Sequence, residues 1–379
     1  MKKLRIGFIV IFIGILFLFF INTITSNEKV SNVEKRNLST FPEFKVKNLL
    51  TSSYYDDLTK AFNDQLFLRN ELVKGYYLMQ FQRYLGDVVE GKDGEMFSAP
   101  QSNVNRENYK KNLISVSKEM NEIVDELKKN GTQFIFLSIP RKDAYLEEYL
   151  PSTYTSSKSI YEYGLNILKE NSSKDIIYVD ALEVFHEHNG NNHYYFKTDH
   201  HINPRGGELL YLELMNIIDA PSYKLDDFYQ VHEAVVNGSY NKQVGQSVKL
   251  NKEELWLSLK SDFSYTRYEN DKVSNLSIWG SGTSYETAYM EGDMAYTRVE
   301  TKRDELPNVM FVGSSFTNIL EALTIPSVNR MVSIDYRHNK SGKSIVDYAK
   351  EYDIDYVIFV PAQSDNALSV NNIRLHLGK

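Results

Sequence analysis

The chain contains no cysteine, which excludes disulfides, thiolate metal centres, iron–sulfur clusters and cysteine nucleophiles together. Positive charge is also in short supply. Against 50 Asp and Glu stand 43 Lys and Arg, a formal net charge of −7, whereas a nucleic-acid binder carries a basic excess. There is no internal repeat and no low-complexity tract. At 42% hydrophobic and 25% charged residues the composition is that of a globular protein, which excludes wholesale disorder and collagen-like or coiled-coil architectures. A length of 379 residues corresponds to about two average domains or one large one.

Near the N-terminus the missing feature is charge. Met1 to Arg5 forms a short basic tail, and Ile6 to Ile21 then reads IGFIVIFIGILFLFFI. No charge appears from Ile6 to Asn27, 22 residues, enough to cross a hydrocarbon core of about 30 Å as a helix. The run is apolar on every face, unlike a helix packed on a soluble core. Thr23-Ile24-Thr25 makes a poor cleavage signal, so the segment reads as an uncleaved anchor rather than a signal peptide. Lys2, Lys3 and Arg5 precede it and Glu28 follows, which predicts a cytoplasmic N-terminus and an exported remainder. Without those three cations, 40 of the 43 basic residues face 50 acidic ones. The expected division is a cytoplasmic tail at 1–5, an anchor at 6–24, a linker and helical stalk at 25–87, and an α/β domain at 88–379.

Beyond a polar stretch at 28–50, apolar residues Leu58, Phe62, Leu66, Leu72, Tyr76, Met79 and Leu85 recur near helical spacing and predict one or two helices. Asp87 to Phe97 reads as a hairpin turning at Lys92-Asp93-Gly94. Asn105 to Asn130 reads as an amphipathic helix with Leu113, Val116, Met120, Val124 and Leu127 on one stripe and Gly131 as its stop. Short apolar runs then predict buried strands at 134–139, 176–179, 309–312, 331–334 and 356–360. Between them lie helical segments at 161–169, 206–217, 318–323 and 344–351. That alternation predicts a parallel sheet in a three-layer α/β domain. Residues 222–300 are irregular and Tyr-rich, with turns at Asn237-Gly238 and at 280–282, and read as an insertion or β-rich excursion.

In such sheets ligand sites lie at the carboxyl ends of strands, and three polar clusters fall there. Gly313-Ser314-Ser315-Phe316-Thr317-Asn318 follows a strand and opens a helix, as either an exposed nucleophilic serine or an ordinary N-cap. Thr198-Asp199-His200-His201 supplies an imidazole to take a hydroxyl proton and a carboxylate to orient it; a plain surface loop is the other reading. Pro140-Arg141-Lys142-Asp143 offers cations for an anionic substrate, for Asp199, or for a surface salt bridge. A metal centre is a further alternative, since His186, His188, His193, His200 and His201 crowd into sixteen positions near Asp180, Glu183 and Glu187. Their spacing matches no helical ligand pair, so the expectation is no metal and no cofactor.

Taken together and in this order, these residues resemble the DHHW proteins, relatives of the alginate O-acetylation proteins AlgJ and AlgX with an SGNH-hydrolase-like domain. Asp199-His200-His201-Ile202 resembles the Asp-His-His-Trp block, and Gly313-Ser314-Ser315-Phe316 the Gly-Asp-Ser-Phe block. Glu34 to Leu38, Asn63 to Arg69, Gly91 to Gly94 with Phe97, and Asp335-Tyr336-Arg337 resemble further blocks. The resemblance implies Ser315 as nucleophile, His201 as general base and Asp199 as its orienting acid. Lys142, Arg337 and Asn318 are the candidate substrate-binding residues. It further implies acetyl transfer onto an exported or cell-envelope polysaccharide, with a multi-spanning membrane acyltransferase as acetyl supplier and no role for nucleic acid. An O-acetylesterase using the same residues, or a glycan-binding scaffold without chemistry, are the alternatives; the 27 tyrosines suit sugar stacking or plain packing in each. Two positions depart from the blocks. Ile202 replaces Trp beside the base, removing an aromatic wall, and Ser314 replaces Asp before the nucleophile.

Overall fold

The computed structural model describes residues 2–31, 36–82, 86–99, 104–188, 193–244, 250–280, 282, 284–361 and 368–378. Leu85, Glu34, Lys35 and Ser281, used in the sequence reading, lie outside them. The chain divides into two compact units, residues 1–86 with 241–248 and residues 87–240 with 249–379.

The first unit opens with α1 (Lys2–Thr25). Its apolar side chains are almost all exposed, and Arg5–Thr25 is long and apolar enough to cross a membrane. The chain thus carries a single N-terminal membrane-spanning helix among the described residues. Two helices follow, α2 (Ser52–Asp64) and α3 (Arg69–Gln82). The polar stretch before them is pinned rather than free. Asp64 accepts both Arg36 Nη1 at 3.0 Å and Arg36 Nη2 at 2.6 Å, and the Ser39 N–H at 2.8 Å. Gln65 Nε2 donates to the carbonyls of Glu28 and Ser39 at 2.8 and 2.9 Å. The Arg36 guanidinium draws the Asp64 carboxyl down to about 2, against burial and with help from the Ser39 N–H. The described part of one sequence block, 36–38, therefore meets another, 63–69, here.

In the second unit a hairpin pairs Val88–Glu90 with Met96–Ser98, and its turn uses Asp93 and Gly94 at φ 55° and 77°. α4 (Arg106–Lys128) is capped by Asn105, whose side chain accepts the Asn108 N–H, and the expected stripe from Leu113 to Leu127 is buried. The main sheet and the longer helices around it are, in chain order, β1 (Gln133–Ser138), α5 (Lys158–Asn171), β2 (Ile176–Asp180), α6 (Ala181–Glu187), α7 (Pro204–Ile217), β3 (Thr266–Glu269), β4 (Lys272–Val273), β5 (Tyr296–Glu300), β6 (Asn308–Gly313), α8 (Asn318–Thr324), β7 (Arg330–Ile334), α9 (Ile345–Glu351), β8 (Tyr356–Val360) and α10 (Val370–His376).

These eight strands form one sheet in the order β4-β3-β5-β7-β6-β8-β1-β2. The five strands read from sequence are mutually parallel from β7 to β2, and β1, β6 and β8 are buried nearly end to end. The sheet is nevertheless mixed, which corrects the expectation of a parallel one. β5 pairs antiparallel with both β7 and β3, and β4 with β3. These three strands come from the stretch read as an excursion. They mix polar with apolar residues and carry Arg267, Glu269, Arg298 and Glu300, so they lack the continuous apolar run that betrays a strand buried on both faces. The same stretch also pairs Tyr229–Val235 with Lys252–Leu259. Helices fall into two packed sets: α4 touches α5, α9 and α10, whereas α7 touches α6 and α8.

Candidate functional site

The site begins where β6 ends. Gly313 is required there by close approach, because a Cβ would lie 2.7 Å from the Val360 carbonyl oxygen and 2.6 Å from the Thr317 methyl. The chain then turns through a single 3₁₀ turn, Ser315–Thr317, closed by Thr317 N–H on the Ser314 carbonyl at 2.8 Å. This turn leaves Ser315 half-buried and Ser314 buried.

The loop 198–203 faces it. Asn203 caps α7, accepting the Gly206 N–H at 3.0 Å, with Pro204 in the first turn. Its amide also donates to the His193 carbonyl at 2.5 Å. Ile202 is fully buried and bridges to Tyr195, so the loop is held from its apolar end while Asp199 and His201 are presented. Asp199 Oδ1 accepts His201 Nδ1 at 2.7 Å and the His201 N–H at 3.1 Å. Its Oδ2 accepts the Ser239 N–H at 2.6 Å. Gly238 makes that last bond possible: a Cβ there would sit 2.1 Å from the Thr198 carbonyl oxygen. His200 Nδ1 meets Ser239 Oγ at 2.7 Å. His201 Nε2 lies 2.9 Å from Ser315 Oγ.

An ionised carboxylate can only accept, so His201 carries its proton on Nδ1 and presents the Nε2 lone pair to the Ser315 hydroxyl. Burial by itself raises the Asp199 carboxyl. The His200 and His201 imidazoles, the His201 bond and the Ser239 N–H outweigh it and hold the group well below the usual carboxylate range. The arrangement has the parts of acyl-transfer chemistry: a hydroxyl, a base within hydrogen-bond reach, and a carboxylate orienting the base.

The aromatic wall expected to be lost with Ile202 comes from elsewhere. Tyr285 stacks on the His201 ring with centroids 3.9 Å apart and planes 3° from parallel, and Phe316 lies at 4.9 Å. Tyr285 and Ser239 were not singled out from sequence. Both belong to the irregular 222–300 stretch, and no spacing links them to residues 199–201.

The other candidates sit differently. Lys142 is 2% exposed and its Nζ is enclosed by Glu95 Oε2 and the carbonyls of Phe196 and Lys197, each at 2.7 Å. Burial pulls its ammonium down while Glu95 pushes back. The ammonium is thus engaged inside the fold, holding the 196–197 backbone next to the Asp199 loop. Arg141 bonds Asp143 at 2.7 Å and the Ser98 carbonyl at 2.9 Å. Arg337 and Asn318 are linked through Asp293, which accepts Arg337 Nη2 at 2.7 Å and Asn318 Nδ2 at 3.0 Å, and Asp335 takes Arg337 at 2.6 Å.

Beneath the Ser315–Thr317 turn lies a polar cavity of about 10 Å³ bordered by Ser314, Thr317, Asn318, Glu321, Asp293 and Ser333, room for about one water. Ser314 Oγ has no hydrogen-bond partner among the described residues. Glu321 accepts Ser333 Oγ at 2.7 Å and also the Thr317 hydroxyl. Burial pushes its carboxyl up to about 7, with Asp293 adding to the effect and Thr317, Ser333 and Arg267 opposing it.

The five crowded histidines separate. His188 bonds the Val184 carbonyl and His193 bonds Glu95; Asp180 caps α6 and accepts Tyr161. Asp199, His200 and His201 alone among them bring ligand-type atoms within 4.8 Å of one another, and those atoms are already engaged with each other and with Ser239. A larger cleft of about 630 Å³ is bordered by Lys197, Arg205, Glu253 and Glu254, and by none of Asp199, His201 or Ser315.

Residues 88–286 match the family model described as SGNH hydrolase-like domain, acetyltransferase AlgX, more than half of the chain. The chain belongs to this family. The matched region of the SGNH hydrolase-like domain includes Asp199, His201, Ser239 and Tyr285 and ends before Ser315. Among solved structures, a DHHW family protein from Eubacterium siraeum aligns with a TM-score of 0.59 at 19% identity, covering 76% of this chain and 94% of its own. Bacillus cereus PatB1 aligns at 0.58 and 20% identity over 76% of this chain and 96% of its own. PatB1 with a sulfonyl adduct aligns at 0.61 and 19% identity, with 76% and 97% covered. At these identities the likeness is one of fold. No curated protein matches the sequence. The chain is thus a membrane-anchored member of the SGNH hydrolase-like family described for the acetyltransferase AlgX.

Proposed function

We propose that the protein is a serine O-acyltransferase that moves acetyl groups onto an exported or cell-envelope polysaccharide. The reading rests on one observation, the hydrogen-bonded chain Asp199–His201–Ser315 at 2.7 and 2.9 Å. In the first half-reaction Ser315 Oγ attacks the acetyl carbonyl of the donor and its proton passes to His201 Nε2. The tetrahedral intermediate collapses, the bond from carbonyl to donor breaks, and the leaving group takes that proton. In the second half a sugar hydroxyl gives its proton to His201 and attacks the acetyl-Ser315 ester. The new C–O bond forms, the bond to Ser315 Oγ breaks, and the proton returns to Ser315. Asp199 stabilises the imidazolium formed in each half. The Ser315 N–H is the proposed oxyanion donor, while Arg337 and Asn318 are proposed to meet the acceptor.

In this reading residues 6–24 hold the protein in the membrane with its N-terminus cytoplasmic, residues 25–87 form a stalk, and residues 88–379 work outside. A multi-spanning acyltransferase supplies acetyl. The test uses the full chain in detergent with a small activated acetyl ester, beside Ser315→Ala and Ser314→Ala. Loss of ester turnover in Ser315→Ala alone supports the assignment, and added glycan that accelerates turnover and becomes acetylated marks a transferase rather than an esterase. A wild type no faster than buffer, with and without glycan, contradicts it. The sulfonyl adduct of PatB1 suggests a second probe, since sulfonyl electrophiles trap activated hydroxyls.

A further inference from the structure

The first unit leaves an apolar stripe uncovered. Leu68 stands in the turn just before α3, and Leu72, Tyr76 and Met79 recur every three or four residues along it, so those three share one helix face. The four are 54%, 56%, 55% and 43% exposed. From Gly75 to Gln82 the helix has no charged residue at all, and Tyr76 and Tyr77 are of the kind that settles at the boundary between lipid and water.

The position of this helix relative to α1 identifies what covers the stripe. The Phe67 N–H donates to Thr23 Oγ1 at 3.0 Å, and the Phe67 ring meets Phe19 edge-on with centroids 5.5 Å apart. Phe19 lies six residues before the end of α1, about 9 Å back along the helix at 1.5 Å per residue. The turn leading into α3 is therefore level with the spanning segment and not beyond it. Leu68 sits in that turn at φ 59°, a conformation a bulky side chain adopts only when its surroundings hold it there. Phe67 thus lies beside the last turns of α1, and it and Leu68 are 37% and 54% exposed.

We propose that the Phe67–Leu68 turn enters the leaflet from which α1 emerges, and that the exposed face of α3 lies on the bilayer there as a second membrane contact. The occupant is lipid, continuous with the lipid around α1. The inference rests on α1 spanning the membrane and is independent of the chemistry at Ser315.

Because the chain has no cysteine, single thiols can be placed cleanly. Leu72→Cys, Tyr76→Cys, Met79→Cys and, on the opposite face, Lys74→Cys are each labelled with an environment-sensitive fluorophore in the full chain. Each protein is reconstituted in phosphatidylcholine–phosphatidylglycerol nanodiscs, with Phe12→Cys as the spanning-helix reference. Replacing ordinary lipid by nitroxide-labelled lipid is expected to lower emission at 72, 76 and 79 roughly twofold or more, as at 12, and clearly less at 74. Emission at 72, 76 and 79 that is quenched no more than at 74 overturns the proposal. So does Met79→Cys cross-linking between two copies without quenching, which would make the stripe a protein interface.

Discussion

Asp64 in the first unit and Asp199 in the second are both nearly sealed from solvent, at 9% and 3% exposed, and each accepts backbone N–H groups, one for Asp64 and two for Asp199, along with side-chain donors. Both are held below the usual carboxylate range. They differ in the partner. Asp64 faces the guanidinium of Arg36, which keeps its proton at any accessible pH and offers no lone pair, so the pair can only tie the polar stretch to α2. Asp199 faces the imidazole of His201, whose second nitrogen is free to take a proton from Ser315. A buried carboxylate is thus a clamp or part of a proton relay according to whether its partner has another basic atom and what that atom touches. Glu321 adds a third case. Its close donors are hydroxyls rather than a guanidinium or imidazole, and its carboxyl is raised instead of lowered.

The comparison can be broken most sharply at the relay. Ser315→Ala should reduce acyl transfer at least about 10³-fold, and Asp199→Asn should come close to that by turning His201 into the wrong tautomer, both with unchanged circular dichroism. Equal activity in Asp199→Asn and wild type would make Asp199 a clamp like Asp64. Glu321 predicts the next largest effect. Its folded pKa of about 7 lies above the unfolded value, so its contribution is fully present below pH 4.5 and is lost as pH rises through 7. The loss is about 3 kcal/mol, and denaturant melts of Glu321→Gln against wild type between pH 4.5 and 8 should show that slope removed. For Asp64 the sign is opposite. Its stabilisation is present above pH 4 and fades as pH falls towards 2, and Asp64→Asn should cost about 1–2 kcal/mol at pH 7 in the same melts, because Arg36 remains partly solvated. The smallest effect belongs to Ser314→Ala. Removing a buried hydroxyl without a partner should leave activity within about threefold and stability unchanged or raised by up to about 1 kcal/mol.

The parallel strands were legible because each is a short apolar run closed by Pro, Gly or a polar turn, and Phe134–Ser138, Val309–Gly313 and Tyr356–Val360 are buried almost throughout. The antiparallel strands were not, since Thr266–Glu269 and Tyr296–Glu300 carry arginines and glutamates that pair within the sheet, and local polarity hides a strand whose charges are matched by its neighbours. Asp199, His201 and Ser315 could be picked out because a resembling block carried each of them. The structure brings those blocks together across 114 residues of sequence. Ser239 and Tyr285 had no such signal: one acts through its backbone N–H, which every residue but proline has, and the other through a flat ring in a stretch already crowded with tyrosine. For Lys142 the sequence leaves substrate, Asp199 and a salt bridge open, because the ion-pair partner, Glu95, lies on a distant hairpin that no local pattern links to it.

The central claim is that Ser315 is the atom-bearing centre of transfer, and the most direct measurement is peptide-resolved mass spectrometry of the full chain after brief exposure to an activated acetyl or sulfonyl ester. The account predicts a single adduct on Ser315, absent in His201→Ala and undiminished in Ser314→Ala. An adduct on Ser314, or one on Ser315 that forms as fast without His201, would contradict it.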